Sequence, residues 1–368
     1  MKVLQVLPAL DSGGVERGTL EIAEALVQAG HESWVVSAGG RLVSQLEAAG
    51  SRHVHWDLGR KSPKSLLQVR PFRRWLSQNE FDIVHARSRM PAWITLMALK
   101  RLAPGQAPHL VTTVHGLHSV NRYSAVMTRG ERIIAVSETC RRYILDNYPS
   151  ARAEHIRLIH RGIDPSQFPR DFQPSTEWQA NWQQEYPQLQ GKFIVTLPGR
   201  LTRLKGHREW LQAIARLSQR MPDLAGLIVG GDAPGKADYA AEVRQQIKDN
   251  GLENIVTMTG HRTDMREIYA ASNVIISLST KPESFGRTVL EPLAMGVPVV
   301  GYARGGVAEI LQALYPAGAV EPGDLEGIVD AILGVYNGQH TDVKPNDVFL
   351  LEKMQAETLK VYQELVAP

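Results

Sequence analysis

The chain has 368 residues, more than one hydrophobic core usually serves, so two domains of ordinary size are expected. Its composition, 43% hydrophobic and 21% charged with a net charge of +3, excludes collagenous and disordered classes. A lone Cys140 leaves no internal disulfide framework and fits a reducing cytosol.

The opening Met1-Lys2-Val3-Leu4-Gln5-Val6-Leu7 run is too short for a leader, is broken by Pro8, and ends in Asp11-Ser-Gly-Gly. It reads as a first strand, Val3–Leu7, feeding a helix over Val15–Ala29 that Gly30 closes. Strands follow at Ser33–Ser37, Phe81–His85, Leu110–Val114, Ile133–Val136 and Ile156–Ile159, with helices at Met90–Leu102 and Glu138–Asn147. Such alternation implies a parallel sheet covered on both faces. After Asp164 the character changes. Pro165, Pro169, Pro174 and Pro187 punctuate a polar stretch with one short helix around Trp178–Glu185.

The alternation then restarts with strands at Phe193–Leu197, Leu227–Val229, Ile255–Met258, Val274–Ser277 and Val297–Gly301. Helices are expected at Gly206–Arg220, Ala237–Asn250, Asp264–Ala271, Asp324–Tyr336 and Asp347–Leu365. The expected fold class is therefore α/β, with two Rossmann-like parallel-sheet domains facing each other across a cleft. The expected divisions are 1–165, a connector at 166–190, a second domain at 191–346, and a C-terminal helix at 347–368.

No apolar run approaches the roughly 18–20 residues of a spanning helix, so the expectation is a soluble or surface-attached protein. Residues 60–74 hold Arg60, Lys61, Lys64, Arg70, Arg73 and Arg74 without an acid, interleaved with Leu66, Leu67, Val69 and Phe72. They read either as a basic segment lying on an anionic membrane or as a solvated helix face with an aliphatic inner side. No nucleic-acid module accompanies them, so no nucleic-acid partner is expected.

Several stretches carry candidate chemistry. Gly13-Gly14-Val15-Glu16-Arg17 opens the first helix, where paired glycines let an anion approach free amides, or simply make a tight turn. Gly199-Arg200-Leu201-Thr202-Arg203-Leu204-Lys205-Gly206 is the matching turn of the second half. Three cations there suit a phosphate, since helix N-termini ordinarily attract acids; a solvated basic loop is the alternative. Glu283 and Glu291 flank Phe285-Gly286, Arg287 and Thr288, and could stand roughly 10 Å apart on one pocket or merely solvate a helix. That spacing suits two grips on one extended ligand better than an acid/base pair. Pro292 is expected to delay or bend this helix. His115-Gly116 ends a strand, where ligand-facing residues collect. Asp-x-Asp, metal-type Cys/His clusters and the G-x-S-x-G elbow are all missing from the sequence.

Taken in order, Gly13-Gly14-Val15-Glu16-Arg17, His115-Gly116, Gly162-Ile163-Asp164, Gly199-Arg200-Leu201 with Lys205-Gly206, and Glu283-Ser-Phe-Gly followed by Glu291 resemble the family-4 glycosyltransferases. The resemblance covers nearly the whole chain and implies the GT-B fold, with the last helix packing back on the N-terminal domain. It implies a retaining, metal-independent transfer, without a cofactor, from a nucleotide-diphosphate sugar to a cell-envelope glycan or glycolipid. The cytoplasm, or the inner face of the plasma membrane, is the implied location. By position, Arg200 and Lys205 would hold the diphosphate, Glu291 the ribose, and Glu283, Phe285, Gly286, Arg287 and Thr288 the donor sugar side. His261 and Arg262 would frame the base. Gly13, Gly14, Glu16, Arg17 and His115 would serve the acceptor side, Gly14 also contacting the donor, and His115, Arg200, Lys205 and Glu283 would be the catalytic residues. Arg161 departs from the family, which more often has Asn before Gly162-Ile163-Asp164. A nucleotide-sugar epimerase of the same architecture and a non-catalytic sugar-nucleotide-binding protein are the alternatives.

Overall fold

The protein is described here from a computed structural model, covering residues 1–11, 13–60, 62–102, 105–232, 237–339 and 341–367. Its chain divides into two units, Met1–Gly162 with Leu351–Pro368, and Ile163–Leu350.

In the first unit, strands β1 (Lys2–Val6), β2 (Glu32–Ser37), β3 (Arg52–His55), β4 (Ile83–Ala86), β5 (His109–Val114), β6 (Arg132–Ala135) and β7 (Ile156–Leu158) form one sheet. Their order is β3-β2-β1-β4-β5-β6-β7, and every pairing is parallel. Helices α1 (Gly14–Gln28), α2 (Val43–Ala48), α3 (Val69–Asn79), α4 (Arg89–Leu99) and α5 (Glu138–Asn147) link the strands. Ser137 caps α5 by accepting from the Cys140 amide at 3.0 Å. Gly30, at φ 73°, closes α1 as its sequence position demands.

The second unit repeats the plan with β8 (Phe193–Pro198), β9 (Leu224–Val229), β10 (Val256–Gly260), β11 (Val274–Ser277), β12 (Val299–Tyr302) and β13 (Ala319–Val320). The order is β10-β9-β8-β11-β12-β13, again all parallel. Its helices are α6 (Thr176–Glu185), α7 (His207–Leu217), α8 (Ala237–Asp249), α9 (Met265–Ala270), α10 (Arg287–Ala294), α11 (Gly305–Leu314) and α12 (Leu325–Tyr336). The expected connector is part of this unit. Trp178, Trp182 and Tyr186 recur every fourth residue along α6, and Trp182 and Tyr186 join Ile194, Leu227, Val229 and Ile268 in a buried cluster.

The last helix, α13 (Leu351–Val366), belongs to the first unit. Met354, Val361 and Tyr362 pack with Ile22 and Leu26 of α1 and with strand residues Val3, Ile83 and Val111. Each such buried side chain contributes roughly 1.5–3 kcal/mol. α13 starts at Leu351, four residues later than the sequence suggests, because Asn346 ties both the amide and the carbonyl of Phe349 into a turn. Pro292 neither delays nor divides α10, which starts at Arg287 and carries it as an interior residue.

α3 answers part of the question posed by residues 60–74. Phe72 and Leu76 are buried with partly buried Val69 and Trp75 beside them, so the inner face is core. Leu66 and Leu67, in the 3-10 turn before α3, remain 52% and 72% exposed. Lys61 lies outside the described residues.

Candidate functional site

Where the order of a parallel sheet reverses, the loops leaving two neighbouring strands diverge and open a crevice at their carboxyl ends. In the second sheet that reversal falls between β8 and β11. The loop after β8 carries the Gly199–Gly206 cations, and the loop after β11 carries Glu283. Gly206, at φ 72°, has no room for a side chain: a Cβ there would stand 2.2 Å from the Leu278 carbonyl oxygen. The backbone therefore turns directly into α7, and the stem of Lys205 lies against Gly199, 3.1 Å from where its Cβ would be.

Lys205 Nζ donates to Glu283 Oε1 at 2.7 Å, bridging the two loops across the reversal. Ser279 Oγ donates to the same oxygen. Burial pushes the Glu283 carboxyl up, but the Lys205 charge and the two hydrogen bonds outweigh it and hold it below its usual value. Arg200 is exposed and makes no hydrogen bond or ion pair among the described residues. Arg203 differs: it pairs with Glu242 and lies 5.2 Å over the Tyr239 ring.

Phe285 is 4% exposed and packs edge-on against Phe349 at 5.7 Å, so its ring is part of the core. Gly286, at φ 124°, starts α10 without a side-chain cap. The first amides of a helix have no acceptor within it, so this end is suited to an anion. Thr288 is partly buried in the same turn. Glu291 is 7% exposed; its carboxylate accepts from Arg287 Nε at 3.1 Å and from the Tyr269 hydroxyl at 3.2 Å.

His261 follows β10 and is exposed; its Cβ lies 3.2 Å from where a Cβ on Gly231 would sit, and Gly231 accepts from the Leu201 amide. Arg262 is not brought to this group. Its guanidinium is taken by Asp264 at 2.7 Å and Glu185 at 2.9 Å, and stacks over Trp182.

In the first sheet the reversal falls between β1 and β4. Gly13 and Gly14 follow β1, with Gly13 at φ 144° preceding α1. Glu16 sits in the first turn of α1, where the helix dipole favours an acid, and Arg17 is exposed beside it. Arg87, after β4, is 3% exposed and donates to Gln5 Oε1 at 2.7 Å. Burial lowers it to about 10, with Tyr362, Glu21 and Glu16 pulling the other way. His115, after β5, accepts from Arg161 Nη2 at 2.8 Å, and the same Nη2 donates to the Gly14 carbonyl at 3.1 Å. Burial, then the charges of Arg161 and Arg87 with His85 and His118, holds His115 well below an ordinary imidazole. Gly14 and His115 are thus brought together through Arg161.

Sequence reasoning missed Ser279, Arg304, Gly305 and Gly306. Arg304 donates through Nε to the Ser279 carbonyl at 3.0 Å, and the Gly306 amide donates to the Glu283 carbonyl at 2.8 Å. A Cβ on Gly305 would lie 2.5 Å from the Glu283 oxygen, and one on Gly306 2.4 Å from Phe285 Cα. The pair of glycines lets the Glu283 loop rest on the start of α11. The signal was present: a Gly-Gly pair after a strand, as at Gly13–Gly14.

Family comparison agrees with this geometry. The description "Glycosyltransferase Family 4" matches residues 12–167, and "Glycosyl transferases group 1" matches residues 179–347. A glycosyltransferase from Rickettsia africae ESF-5 is 29% identical, with a TM-score of 0.87 over 100% of this chain and 98% of that one. N-acetyl-alpha-D-glucosaminyl L-malate synthase of Bacillus anthracis is 24% identical over 98% of this chain and 95% of its own. Anabaena Alr3699/HepE, solved with UDP and glucose, is 22% identical with a TM-score of 0.78, covering 99% of this chain and 98% of its own. The chain belongs to the family-4 glycosyltransferases, transferase enzymes of GT-B fold.

Proposed function

We propose that this chain is a retaining, metal-independent hexosyltransferase that moves a sugar from a nucleotide diphosphate, with UDP as the nucleotide, to a cell-envelope glycan or glycolipid such as lipopolysaccharide core. One observation carries the donor half of this reading: Lys205 and Glu283 joined at 2.7 Å across the β8/β11 reversal, with exposed Arg200 on the same loop. A diphosphate would take Arg200 as a two-pronged donor and Lys205 as a point charge, with the uncapped amides of α10 beside them. Glu283 would then be released to the donor sugar. Glu291 would offer its carboxylate to the ribose, His261 would lie by the base, and the main chain of Phe285 and Gly286 would face the sugar.

In the chemical step the bond from the anomeric carbon to phosphate breaks as the acceptor hydroxyl bonds to the same face of that carbon. The hydroxyl proton passes to the departing phosphate oxygen, so no side chain is the base. Charge growing on that phosphate is met by Arg200 and Lys205, an electrostatic contribution that preorganised groups make large. The first unit takes the acceptor and supplies Gly13, Gly14, Glu16, Arg17 and His115. Among the described residues no helix is long and apolar enough to cross a membrane. Exposed Leu66 and Leu67 beside Arg70 and Arg74 support a peripheral contact with an anionic membrane from the cytoplasmic side.

Calorimetric titration against UDP-, GDP- and ADP-sugars tests the donor, with tightest binding expected for a UDP-sugar. NMR of the product's anomeric proton tests retention. A donor isomerised in the absence of acceptor would overturn the transferase reading in favour of an epimerase. Salt-sensitive co-sedimentation with anionic vesicles tests the surface contact, and its absence would return residues 60–74 to a solvated face.

A further inference from the structure

We infer that Arg161 is a positioning residue that holds His115 in the neutral, Nε2-protonated tautomer and locks the Gly14 turn to it. The functional consequence rests on the role proposed for His115 above; the tautomer itself does not. A guanidinium offers only donors, so the 2.8 Å contact from Arg161 Nη2 requires a lone pair on His115 Nδ1. The single proton of a neutral ring then resides on Nε2. The same Nη2 reaches the Gly14 carbonyl at 3.1 Å, so one guanidinium fixes a β1-loop carbonyl and a β5-end imidazole together.

The seat for Arg161 is built. It is 8% exposed and its Nη1 lies 3.9 Å from Met354 Sδ of α13. On α1, a Cβ at Gly18 would stand 1.8 Å from Nη1, so glycine at that buried helical position makes room for the guanidinium. Around His115 stand Arg161, Arg87, His85 and His118, while Glu16 and Glu21 of α1 and Tyr362 of α13 act on Arg87. Burial and these positive neighbours both oppose protonation of His115. A neutral imidazole held this way donates a hydrogen bond through Nε2 without adding charge, and its direction is set by Arg161.

Long-range 1H–15N correlation on the histidine-labelled full chain, with His115 assigned by H115Q, tests the inference. Wild type should show the Nε2-protonated tautomer, unchanged from about pH 8 to pH 5.5. In R161M, the Nδ1-protonated form should become populated and the ring should titrate closer to its ordinary 6.5. G18A, which displaces the guanidinium without removing its charge, should reproduce the tautomer change. R161K should restore part of the wild-type pattern. An Nδ1-protonated ring in wild type, or identical titration in wild type and R161M, overturns the inference. Turnover of the donor selected by the sugar panel gives a second readout. R161M should lower kcat about 10–100-fold with donor KM unchanged, and should add nothing in an H115A background. Additive losses would overturn the positioning role. If H115A alone turns over at the wild-type rate, the role of His115 in transfer falls, and the NMR result still decides the tautomer.

Discussion

At the β1/β4 reversal of the first sheet Arg17 is exposed, but two cations are buried: Arg87, 3% exposed, and Arg161, which reaches Gly14 and His115 from beyond β7 and is 8% exposed. At the β8/β11 reversal of the second sheet Arg200 is exposed and Lys205 keeps 26% of its side chain in water. The two halves thus place basic residues at the same topological point for different ends. A buried guanidinium must be met by fixed acceptors, here Gln5, Gly14 and His115, and so it fixes geometry. Exposed cations add little to stability. The position of Arg200 and Lys205 beside the start of a helix, where the dipole disfavours positive charge, is what the proposed diphosphate site would require.

The sharpest way to break this comparison is to exchange the expected phenotypes. Lys205→Ala and Arg200→Ala should each lower turnover about 10²–10³-fold, the loss typical of a removed transition-state donor, and in Arg200→Ala the urea midpoint should barely move. Arg87→Met should do the reverse in kind, lowering the unfolding free energy by about 1–3 kcal/mol as Gln5 loses its buried partner. Unchanged turnover in the Lys205 and Arg200 variants, or a wild-type urea curve for Arg87→Met, would erase the distinction.

Strands with continuous apolar runs were legible because a doubly covered parallel sheet requires them. β3 was not: Arg52-His-Val-His is an edge strand with both its ends exposed, so it carries no apolar run. α2 spans six residues and buries only Leu46, too little for a period to show. α11 was readable in Val307, Ile310, Leu311 and Leu314, but its Gly305–Gly306 start reads as a turn unless the loop it receives is known. The Lys205–Glu283 pair joins residues remote in sequence, and only the strand order reveals that their loops are neighbours. For Arg161 the sequence showed a departure from the family pattern, and its partners at Gly14 and His115 emerged only in three dimensions.

A second contrast sets one glycine of each half against the other. Gly206→Ala should lower stability by about 1–3 kcal/mol, because φ 72° and the Leu278 oxygen 2.2 Å away both oppose a side chain. Gly14 has nothing within 4 Å of its Cβ position and already lies in helix α1. Gly14→Ala should therefore melt like wild type or slightly higher. A fall in transfer with unchanged melting would show that the open space at Gly14 serves a ligand. Equal melting losses in the two variants would show that both glycines are only structural.

The smallest effect is also the most specific to the second site. Burial pushes the Glu283 carboxyl up, yet Lys205 and Ser279 bring it below its unfolded value of 4.5. A depressed carboxyl adds stability above about pH 4.5, and that stability is lost as pH falls through the folded value. Lys205→Met removes the opposing charge, leaving burial resisted only by the Ser279 hydroxyl. The folded carboxyl should then rise above 4.5, and the sign reverses: the variant should lose stability as pH climbs from about 4.5 through the raised value. Urea unfolding of both proteins from about pH 4 to pH 7 should give a stability gap that widens as pH rises. A gap that stays constant would mean that Glu283 titrates alike with and without Lys205, and that the bridge at the β8/β11 reversal does not set its charge.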